Sequence, residues 1–296
     1  MRTFMRLTIQ VEPLRNAFNK ILSVVDKKSS RHILTYAQVS AKEDRVEISA
    51  TDLEVSAKIS IKANVENSGT ICVNTKNIFD ILRELPDSEI NLSLDNSQNT
   101  LKISCGEIFY SLLVYKNDDF PHLVFESIGN EFRLSSKQVL EIINKTSYAI
   151  SNDETRIFLN GIFLQECNSK LRAVATDGHR LSLIETDLDT SDNENLINGI
   201  IIPKKGVYEL KKIAENFPEA NLKFSVDDSF IYVNAEDQYF LSVRLIAREY
   251  PKYQAVIPSK TTSKLIADRN TIFDAVRRIK IMSNEKSNGV RMNISG

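Results

Sequence analysis

Three side chains could form a carboxylate–imidazole group for acid–base chemistry: Asp52, Asp177 and His179. Such chemistry needs a proton-transferring group close to a nucleophile, a metal ion or a cofactor. The sequence contains no Gly-rich phosphate loop and no GxSxG nucleophile motif. The two aspartates also end the same tripeptide, Ala-Thr-Asp, 125 residues apart. They are therefore interpreted first as equivalent positions of a repeat, and an enzyme is the less favoured alternative.

The cysteines and histidines do not form a metal-binding pattern. Cys72, Cys105 and Cys167 are odd in number, lie 33 and 62 residues apart, and each follows a strand-like apolar stretch. They are interpreted as reduced, buried thiols, with a reactive thiol as the alternative. The three histidines are equally scattered, so neither a metal nor another cofactor is expected. No apolar run approaches the roughly 20 residues of a membrane span, and no signal peptide is recognised, so a cytoplasmic protein is expected.

The elements that position these residues belong to a duplicated domain. Three landmarks return in the same order after 125 to 130 residues: Ala50-Thr51-Asp52 as Ala175-Thr176-Asp177, Phe120-Pro121 as Tyr250-Pro251, and ICVNTKNIFDIL as IIIPKKGVYELK. Three matches with similar offsets indicate an internal repeat. A third copy begins near residue 260, at KLIADRNTIFDAVRRIKI. The predicted domains are 1–128, 129–258 and 259–296, the last being only the start of a copy.

Each copy is predicted to combine two helices with a strand-rich sheet system. Leu14, Phe18 and Ile21 have helical spacing, with Pro13 in the first turn, and the pair Ser135-Ser136 can cap the corresponding helix of the second copy. Period-two alternation predicts strands in RVEISATDLEVSAKISI and LKFSVDDSFIYVNAEDQYFLSVRLI. The predicted order is strand, helix, strands, strand, helix, strands. This is an α+β fold with its helices on one face.

The positive charge is concentrated in the predicted helices. The 296-residue chain has 38 Lys+Arg and 39 Asp+Glu, a net charge of −1, so it lacks a global positive field. The segments 12–28, 75–86, 135–147, 203–216 and 269–286 carry +2, 0, +1, +2 and +3, which leaves −9 for the remainder. For any one helix, a solvated basic face is sufficient explanation. Together they favour one positive helical surface facing duplex DNA, whose phosphates are contacted without regard to sequence.

Four motifs resemble the bacterial sliding clamp family, the beta subunit of DNA polymerase III. They are Ala175-Thr176-Asp177-Gly178-His179-Arg180-Leu181, Ile202-Pro203-Lys204-Lys205-Gly206, Tyr250-Pro251 with Val256-Ile257-Pro258, and Ser283-Asn284-Glu285-Lys286 followed by Gly289-Val290-Arg291. The resemblance implies repeated clamp-type domains, the DNA clamp fold, and a head-to-tail homodimer ring with its helices lining the bore. It implies a non-catalytic processivity factor without cofactors, which encircles duplex DNA and tethers the replicative polymerase and other partners. An ATP-driven clamp loader would place it on DNA.

The resemblance also implies DNA contacts at particular residues. These fall on Lys28, Lys76, Lys204 and Lys205, with Asn152 and Phe158 as weaker candidates. Lys28 and Lys76 stand where many relatives have Arg, so the attraction to phosphate is kept while bidentate geometry is lost.

A second implied site is a pocket for short partner peptides. It falls on Leu159, Thr176, Gly178, His179, Arg180, Leu181, Pro251 and Val256. Asp177-Gly178 is expected to make a tight turn that presents polar side chains beside apolar ones, a groove suited to a Leu- or Phe-bearing peptide. Ala255 departs from relatives that can carry Arg there.

The sequence leaves two alternative functions open, and its length bears on whether the chain can form a ring. The alternatives are the enzyme described above and a repeat-built scaffold that binds peptides without encircling DNA. A complete third copy would extend the chain to about 380 residues, so on the order of 80 are expected to be missing. A chain of 296 residues is then not expected to close a stable ring.

Overall fold

The repeat is visible in a computed structural model, which describes residues 5–26, 30–95, 99–115, 119–126, 131–188, 194–282 and 290–293. The chain divides into two compact units, Met1–Tyr250 and Pro251–Gly296. The first unit contains both full copies of the repeat. In the second unit a helix follows a short 3-10 turn, Tyr253–Val256.

The described residues of the first copy form nine strands and two α-helices. In chain order they are β1 (Arg6–Gln10), α1 (Val11–Ile21), β2 (Tyr36–Lys42), β3 (Arg45–Thr51), β4 (Val55–Lys62), β5 (Asn64–Asn67), β6 (Gly69–Asn74), α2 (Thr75–Glu84), β7 (Glu89–Asp95), β8 (Thr100–Cys105) and β9 (Ile108–Tyr115). A 3-10 helix, His32–Thr35, precedes β2.

The second copy repeats this order with one exchange. Its elements are β10 (Phe132–Ser135), α3 (Ser136–Thr146), β11 (Gly161–Cys167), β12 (Lys170–Thr176), β13 (Leu181–Asp187), α4 (Glu194–Asn198), β14 (Ile200–Pro203), α5 (Lys204–Asn216), β15 (Asn221–Val226), β16 (Phe230–Ala235) and β17 (Tyr239–Arg244). The short helix α4 takes the place of strand β5. The predicted order of helices and strands is therefore confirmed in the first copy, and in the second copy with the short helix α4 as an unpredicted addition.

Side-chain caps mark the starts of two helices. Ser135 caps α3 and forms a reciprocal capping box with Gln138, while the Asn74 side chain caps α2 by accepting from Asn77 N–H. The prediction of a helical segment over residues 12–28 is too long, because α1 ends at Ile21. The chain then turns, and Val24 is buried in the core.

The strands form two antiparallel sheets. One has four strands in the order β13-β12-β11-β14, and the other has thirteen in the order β10-β15-β16-β17-β4-β3-β2-β6-β9-β8-β7-β1-β5. The thirteen-stranded sheet crosses from one copy to the other where β17 pairs with β4, from Tyr239 opposite Ile59 to Val243 opposite Val55. Hydrogen bonds of the backbone therefore join the two copies directly.

Helices also meet at the boundary between the copies. Within the copies, α1 packs against α2 and α3 packs against α5. Across the boundary, Ser23 after α1 donates to the Glu209 carboxylate of α5 at 3.0 Å, and the Lys20 ammonium lies 5.2 Å from the Phe217 ring centre. The first unit is thus continuous both in its sheet layer and in its helix layer.

The last helix, α6 (Arg269–Lys280), belongs to the second unit. The Asp268 carboxylate caps it by accepting from the Thr271 N–H at 2.8 Å. Within the described ranges, every helix is too short or too polar to serve as a membrane-spanning segment.

Candidate nucleic-acid interface and peptide pocket

The start of α5 holds one group of the predicted DNA-binding residues. Strand β11 pairs with β14 so that Gly161 lies opposite Pro203, which places the loop before β11 beside the first turn of α5. Lys204 N–H donates to the Asn160 carbonyl at 2.9 Å, and the Lys204 ammonium donates to the Asn152 amide oxygen at 2.5 Å. Lys204 and the exposed Asn152, both assigned to DNA by the family resemblance, therefore form one polar surface.

Lys205, the next residue, has a second role. Its ammonium donates to the Asp52 carboxylate and to the Val24 carbonyl, both in the first copy. The Asp52 side chain is only 12% exposed, whereas that of Lys205 is 37% exposed. This lysine thus links the two copies, and its charge is partly compensated by Asp52.

The other predicted DNA contacts are dispersed. Lys76 is exposed in the first turn of α2. Phe158 is half-buried in the 3-10 turn Ile157–Leu159, part of the same loop as Asn152. Lys28 lies outside the described residues.

Most of the predicted peptide pocket gathers at the turn between β12 and β13. Thr176 pairs with Leu181 across the end of the hairpin. Between them, the Asp177 carboxylate accepts the N–H groups of His179 (2.9 Å) and Arg180 (3.0 Å). The Thr176 hydroxyl donates to the Arg180 carbonyl at 2.7 Å. The turn is therefore closed by its own side chains, and it presents His179 and Arg180 to solvent.

Charge and backbone conformation fit Asp177 and Gly178 to this turn. Burial alone would raise the pKa of Asp177, but the two backbone N–H groups and the Arg180 guanidinium outweigh it and lower the pKa below its usual value. Gly178 has φ of +89°, a left-handed conformation that glycine adopts without steric cost. A Cβ atom there would lie 2.8 Å from Arg156 Nη1. The prediction of a tight Asp-Gly turn is consistent with this geometry.

Arg156 ties the loop of Leu159 to the turn. Its guanidinium donates to the Asp177 carbonyl at 3.2 Å and to the Asp153 carboxylate at 2.8 Å. Hydrogen bonds from Thr155 and then from Arg156 lower the pKa of Asp153 to about 2, so Asp153 stays ionised and holds the guanidinium. Leu159 follows in the same 3-10 turn and is buried. The Arg156 contacts therefore bring the segment of Leu159 next to the turn that carries Thr176 to Leu181. Pocket residues were assigned to both of these segments of the first unit.

The surroundings of the turn are partly aromatic. The Arg180 guanidinium lies 5.7 Å from the ring centre of Tyr148, and the Tyr148 hydroxyl donates to Ser182 Oγ at 3.1 Å. Leu181 is half-buried. Pro251 and Val256 belong to the second unit, where both are exposed.

The first copy contains the equivalent turn in a different setting. The Asp52 carboxylate accepts the N–H groups of Glu54 and Val55, as Asp177 does in its own turn. Leu53 has φ of +78° at the position of Gly178. Because both aspartates are engaged by backbone N–H groups, this geometry does not favour the acid–base alternative, which needs a free carboxylate.

Two residues important to this geometry were not predicted from the sequence. Arg156 and Tyr148 lie 21 and 32 residues from Asp177 and Arg180, their respective partners. The pattern Asp153-x-x-Arg156 indicates the local ion pair, but nothing in the spacing indicates the contact with the Asp177 carbonyl.

Comparisons with known proteins agree with the duplicated architecture. The sequence matches the family described as "DNA polymerase III beta subunit, N-terminal domain" over residues 5–124, and "DNA polymerase III beta subunit, central domain" over residues 133–252. The beta sliding clamp of Caulobacter vibrioides is 32% identical over 294 residues, which cover 97% of this chain and 78% of the relative. That of Rickettsia bellii is 31% identical over 297 residues, covering 99% and 76%.

Solved structures of the same family have the same fold. The structure of a sliding clamp from Bartonella birtlesii bound to griselimycin superimposes with a TM-score of 0.89 at 31% identity, covering 96% of this chain and 76% of that one. A structure of the clamp from Caulobacter crescentus gives 0.85 at 30% identity, covering 94% and 76%. Two family matches that span both copies, together with these relatives, show that the chain belongs to the DNA polymerase III beta subunit family, the bacterial sliding clamps.

Proposed function

We propose that this chain is a DNA sliding clamp, a processivity factor that encircles duplex DNA and tethers the replicative polymerase and other partners. The observation that carries the proposal is the boundary between the two copies. There β17 pairs with β4, and the Ser23 hydroxyl just after α1 donates to the Glu209 carboxylate of α5, so the sheet is continuous and the helical layers of the two copies contact each other. When the same boundary is repeated between further copies, the copies form an arc with their helices on one side. Such an arc can close into a ring around a polyanion.

The mechanism is topological, and it requires only weak contacts with DNA. A closed ring cannot leave a circular duplex without opening, so phosphate contacts need only guide sliding while the tether raises the local concentration of the polymerase. Lys76 and Lys204 are the described lysines best placed for such contacts. Lys205 contributes less to DNA binding than Lys204, since the Asp52 carboxylate already neutralises part of its charge.

The chain is also proposed to be non-catalytic and to act in the cytoplasm. Support for the first point is that the carboxylates of Asp52 and Asp177 are used to close turns. The domain division at residues 128 and 258 is part of the same proposal, supported by family matches that end at 124 and begin again at 133.

The proposed partner in the ring is a second copy of the chain, with the third domain complete in each copy. Strand β9 pairs with β8 along its length but meets β6 only at Val114 and Tyr115. In the described structure, the remainder of that edge is open, and it exposes Phe109 (72%) and Leu113 (74%). An open strand edge with exposed apolar side chains is suited to pairing with another chain.

The partner peptide is proposed to bind at the turn between β12 and β13. Leu159 and Leu181 supply apolar surface and His179 and Arg180 supply exposed polar groups. A short peptide with Leu or Phe side chains fits this mixture. Pro251 and Val256 remain proposed members of the pocket.

The experiment that tests the proposal compares circular and linear DNA. The protein, with its third domain complete, is loaded with ATP and a clamp loader onto a singly nicked plasmid, which is then purified by gel filtration with or without linearisation. A sliding clamp remains with the circle and leaves the linear form through its ends. Equal retention on both forms would contradict the proposal and favour a scaffold that binds DNA without encircling it.

A charge variant tests the assigned DNA contacts separately. Lys76→Glu with Lys204→Glu removes two phosphate contacts, so the slope of log K against log salt for duplex binding should fall by about 2. An unchanged slope would remove these two lysines from the interface.

A further inference from the structure

A polar cleft of about 680 Å³ lies between α1 and α5 at the boundary of the two copies. Asn16, Asn19 and Lys20 line it from α1, and Lys212 and Asn216 line it from α5. Tyr239 of β17 completes the wall. Among the described residues that line the cleft there is no carboxylic acid, so the groups it offers are ammonium, amide and hydroxyl.

Lys20 brings an uncompensated positive charge to the cleft. Its side chain is half-buried, and burial lowers its pKa. Its ammonium lies over the Phe217 ring, and within the described ranges no carboxylate is at ion-pair distance from it. A desolvated cation of this kind gains most from an anionic ligand.

The hydroxyl of Tyr239 is a second unused group. The side chain is 1% exposed, and in the described structure its hydroxyl has no hydrogen-bond partner. Burial and the nearby Glu209 charge raise the pKa of Tyr239, so the hydroxyl keeps its proton and is able to donate. Buried polar groups are nearly always paired in folded proteins, which makes this hydroxyl an indication of a ligand or a bound water.

Glu209, the acid on α5 that faces Lys212 and Ser23, is already paired. Glu209 is 2% exposed, and its carboxylate accepts from the Lys212 ammonium at 2.9 Å and from the Ser23 hydroxyl at 3.0 Å. Glu209 therefore lies behind the lining of the cleft and compensates Lys212. The charge of Lys20 has no carboxylate partner among the described residues, so the cleft disfavours a cationic ligand.

We propose that this cleft binds one phosphate group, with the Lys20 ammonium supplying the charge and the asparagine amides and the Tyr239 hydroxyl supplying neutral donors. A phosphate needs several convergent donors at once, and the three elements that meet here provide them. The phosphate can come from inorganic phosphate or from a DNA backbone, which share this chemistry. The inference does not depend on the proposed function, because inorganic phosphate tests it without DNA.

The test is a thermal-shift titration of the full chain with inorganic phosphate, against sodium chloride at equal ionic strength. Wild type is compared with Lys20→Gln and with Tyr239→Phe, which removes only the unpaired hydroxyl. Lys211→Gln is the matched control, because Lys211 lies on α5, outside the cleft, and pairs with Glu215. Phosphate also stabilises proteins non-specifically, so the difference between variants is the readout.

We expect phosphate to raise the Tm of wild type and of Lys211→Gln by about 2–4 °C, and both cleft variants to lose most of this rise. An equal rise in all four proteins, or one that persists in Tyr239→Phe, would overturn the proposal and leave a water-filled cleft. A duplex-DNA titration then identifies the source. If both cleft variants bind duplex DNA more weakly than Lys211→Gln does, the cleft takes its phosphate from the DNA backbone. If the variants lose the thermal shift but bind duplex DNA as before, the cleft takes free phosphate.

Discussion

The turn that carries His179 and Arg180 depends on one carboxylate, so Asp177→Ala should disable the peptide pocket. The substitution removes the acceptor for two backbone N–H groups and for the Arg180 guanidinium. It leaves the Thr176 hydroxyl bond and the strand pairing of β12 with β13 in place. The hairpin should therefore persist while its tip becomes mobile.

The expected magnitude follows from the three lost contacts. Each backbone N–H bond to the carboxylate contributes about 1 kcal/mol. The pair with Arg180 adds less than about 1 kcal/mol, since that side chain is 59% exposed. The total is about 2 kcal/mol, which corresponds to a fall in Tm of about 4–8 °C. Asp177→Asn keeps an acceptor oxygen and should cost about 0.5 kcal/mol.

The assay is fluorescence anisotropy with a labelled Leu- and Phe-bearing clamp-binding peptide. If the ordered turn becomes a minority conformation, the apparent affinity falls in proportion to its population, by about 5-fold to 30-fold for 2 kcal/mol. Asp52→Ala is the matched control, because it breaks the same turn in the first copy, where no peptide pocket is assigned. It should lower the Tm at least as much, through the additional loss of the Lys205 contact.

Two results would refute this reasoning. Peptide affinity within twofold of wild type in Asp177→Ala would show that the turn does not form the pocket. An equal loss of affinity in Asp52→Ala would show that the effect is general destabilisation.

Three further predictions concern the same turn and the open strand edge. Folding lowers the pKa of Asp177 below the 3.8 of the unfolded chain, so the ionised carboxylate stabilises the fold above pH 3.8, and this stabilisation is lost as the pH falls through the folded-state pKa. The Tm difference between wild type and Asp177→Asn should therefore shrink below about pH 4. Gly178→Ala should cost about 1–2 kcal/mol and weaken peptide binding, because its Cβ would displace Arg156 from the turn; unchanged binding would contradict this. Phe109→Asp with Leu113→Asp should abolish self-association measured by light scattering and leave the monomer Tm within a few degrees, since both side chains are exposed; persistent dimers would exclude the β9 edge as the interface.

The repeat order was predictable from the sequence because it rests on local patterns. Alternation and helical spacing are properties of neighbouring residues, and the Ala-Thr-Asp landmark marks the same hairpin end in both copies. The exchange of β5 for α4 was not predicted, since segments of four or five residues carry too few periods to distinguish helix from strand.

The contacts that join distant segments were beyond prediction from spacing. Lys205 and Asp52 are separated by 153 residues, and the lysine was assigned to DNA before the structure showed its partner. Arg156 was overlooked for the same reason. Lys204 and Asn152 were both assigned to DNA from a family resemblance, and the hydrogen bond between them is a contact that spacing alone does not indicate.

The two copies of one turn differ in their contacts: the first joins the two copies, and the second is the proposed docking site. In the first copy, the outer oxygen of Asp52 receives the Lys205 ammonium, and the Glu54 carbonyl receives the Arg244 N–H, so the turn is occupied by the second copy. In the second copy, among the described residues, the corresponding oxygen of Asp177 pairs with Arg180 of its own turn. The same backbone hydrogen bonds shape both turns, so the difference in role lies in what covers them. The turn of the first copy accepts a backbone N–H and a side-chain ammonium from the neighbouring copy. The turn of the second copy has the same backbone hydrogen bonds, which supports the proposal that it binds the backbone and side chains of a peptide.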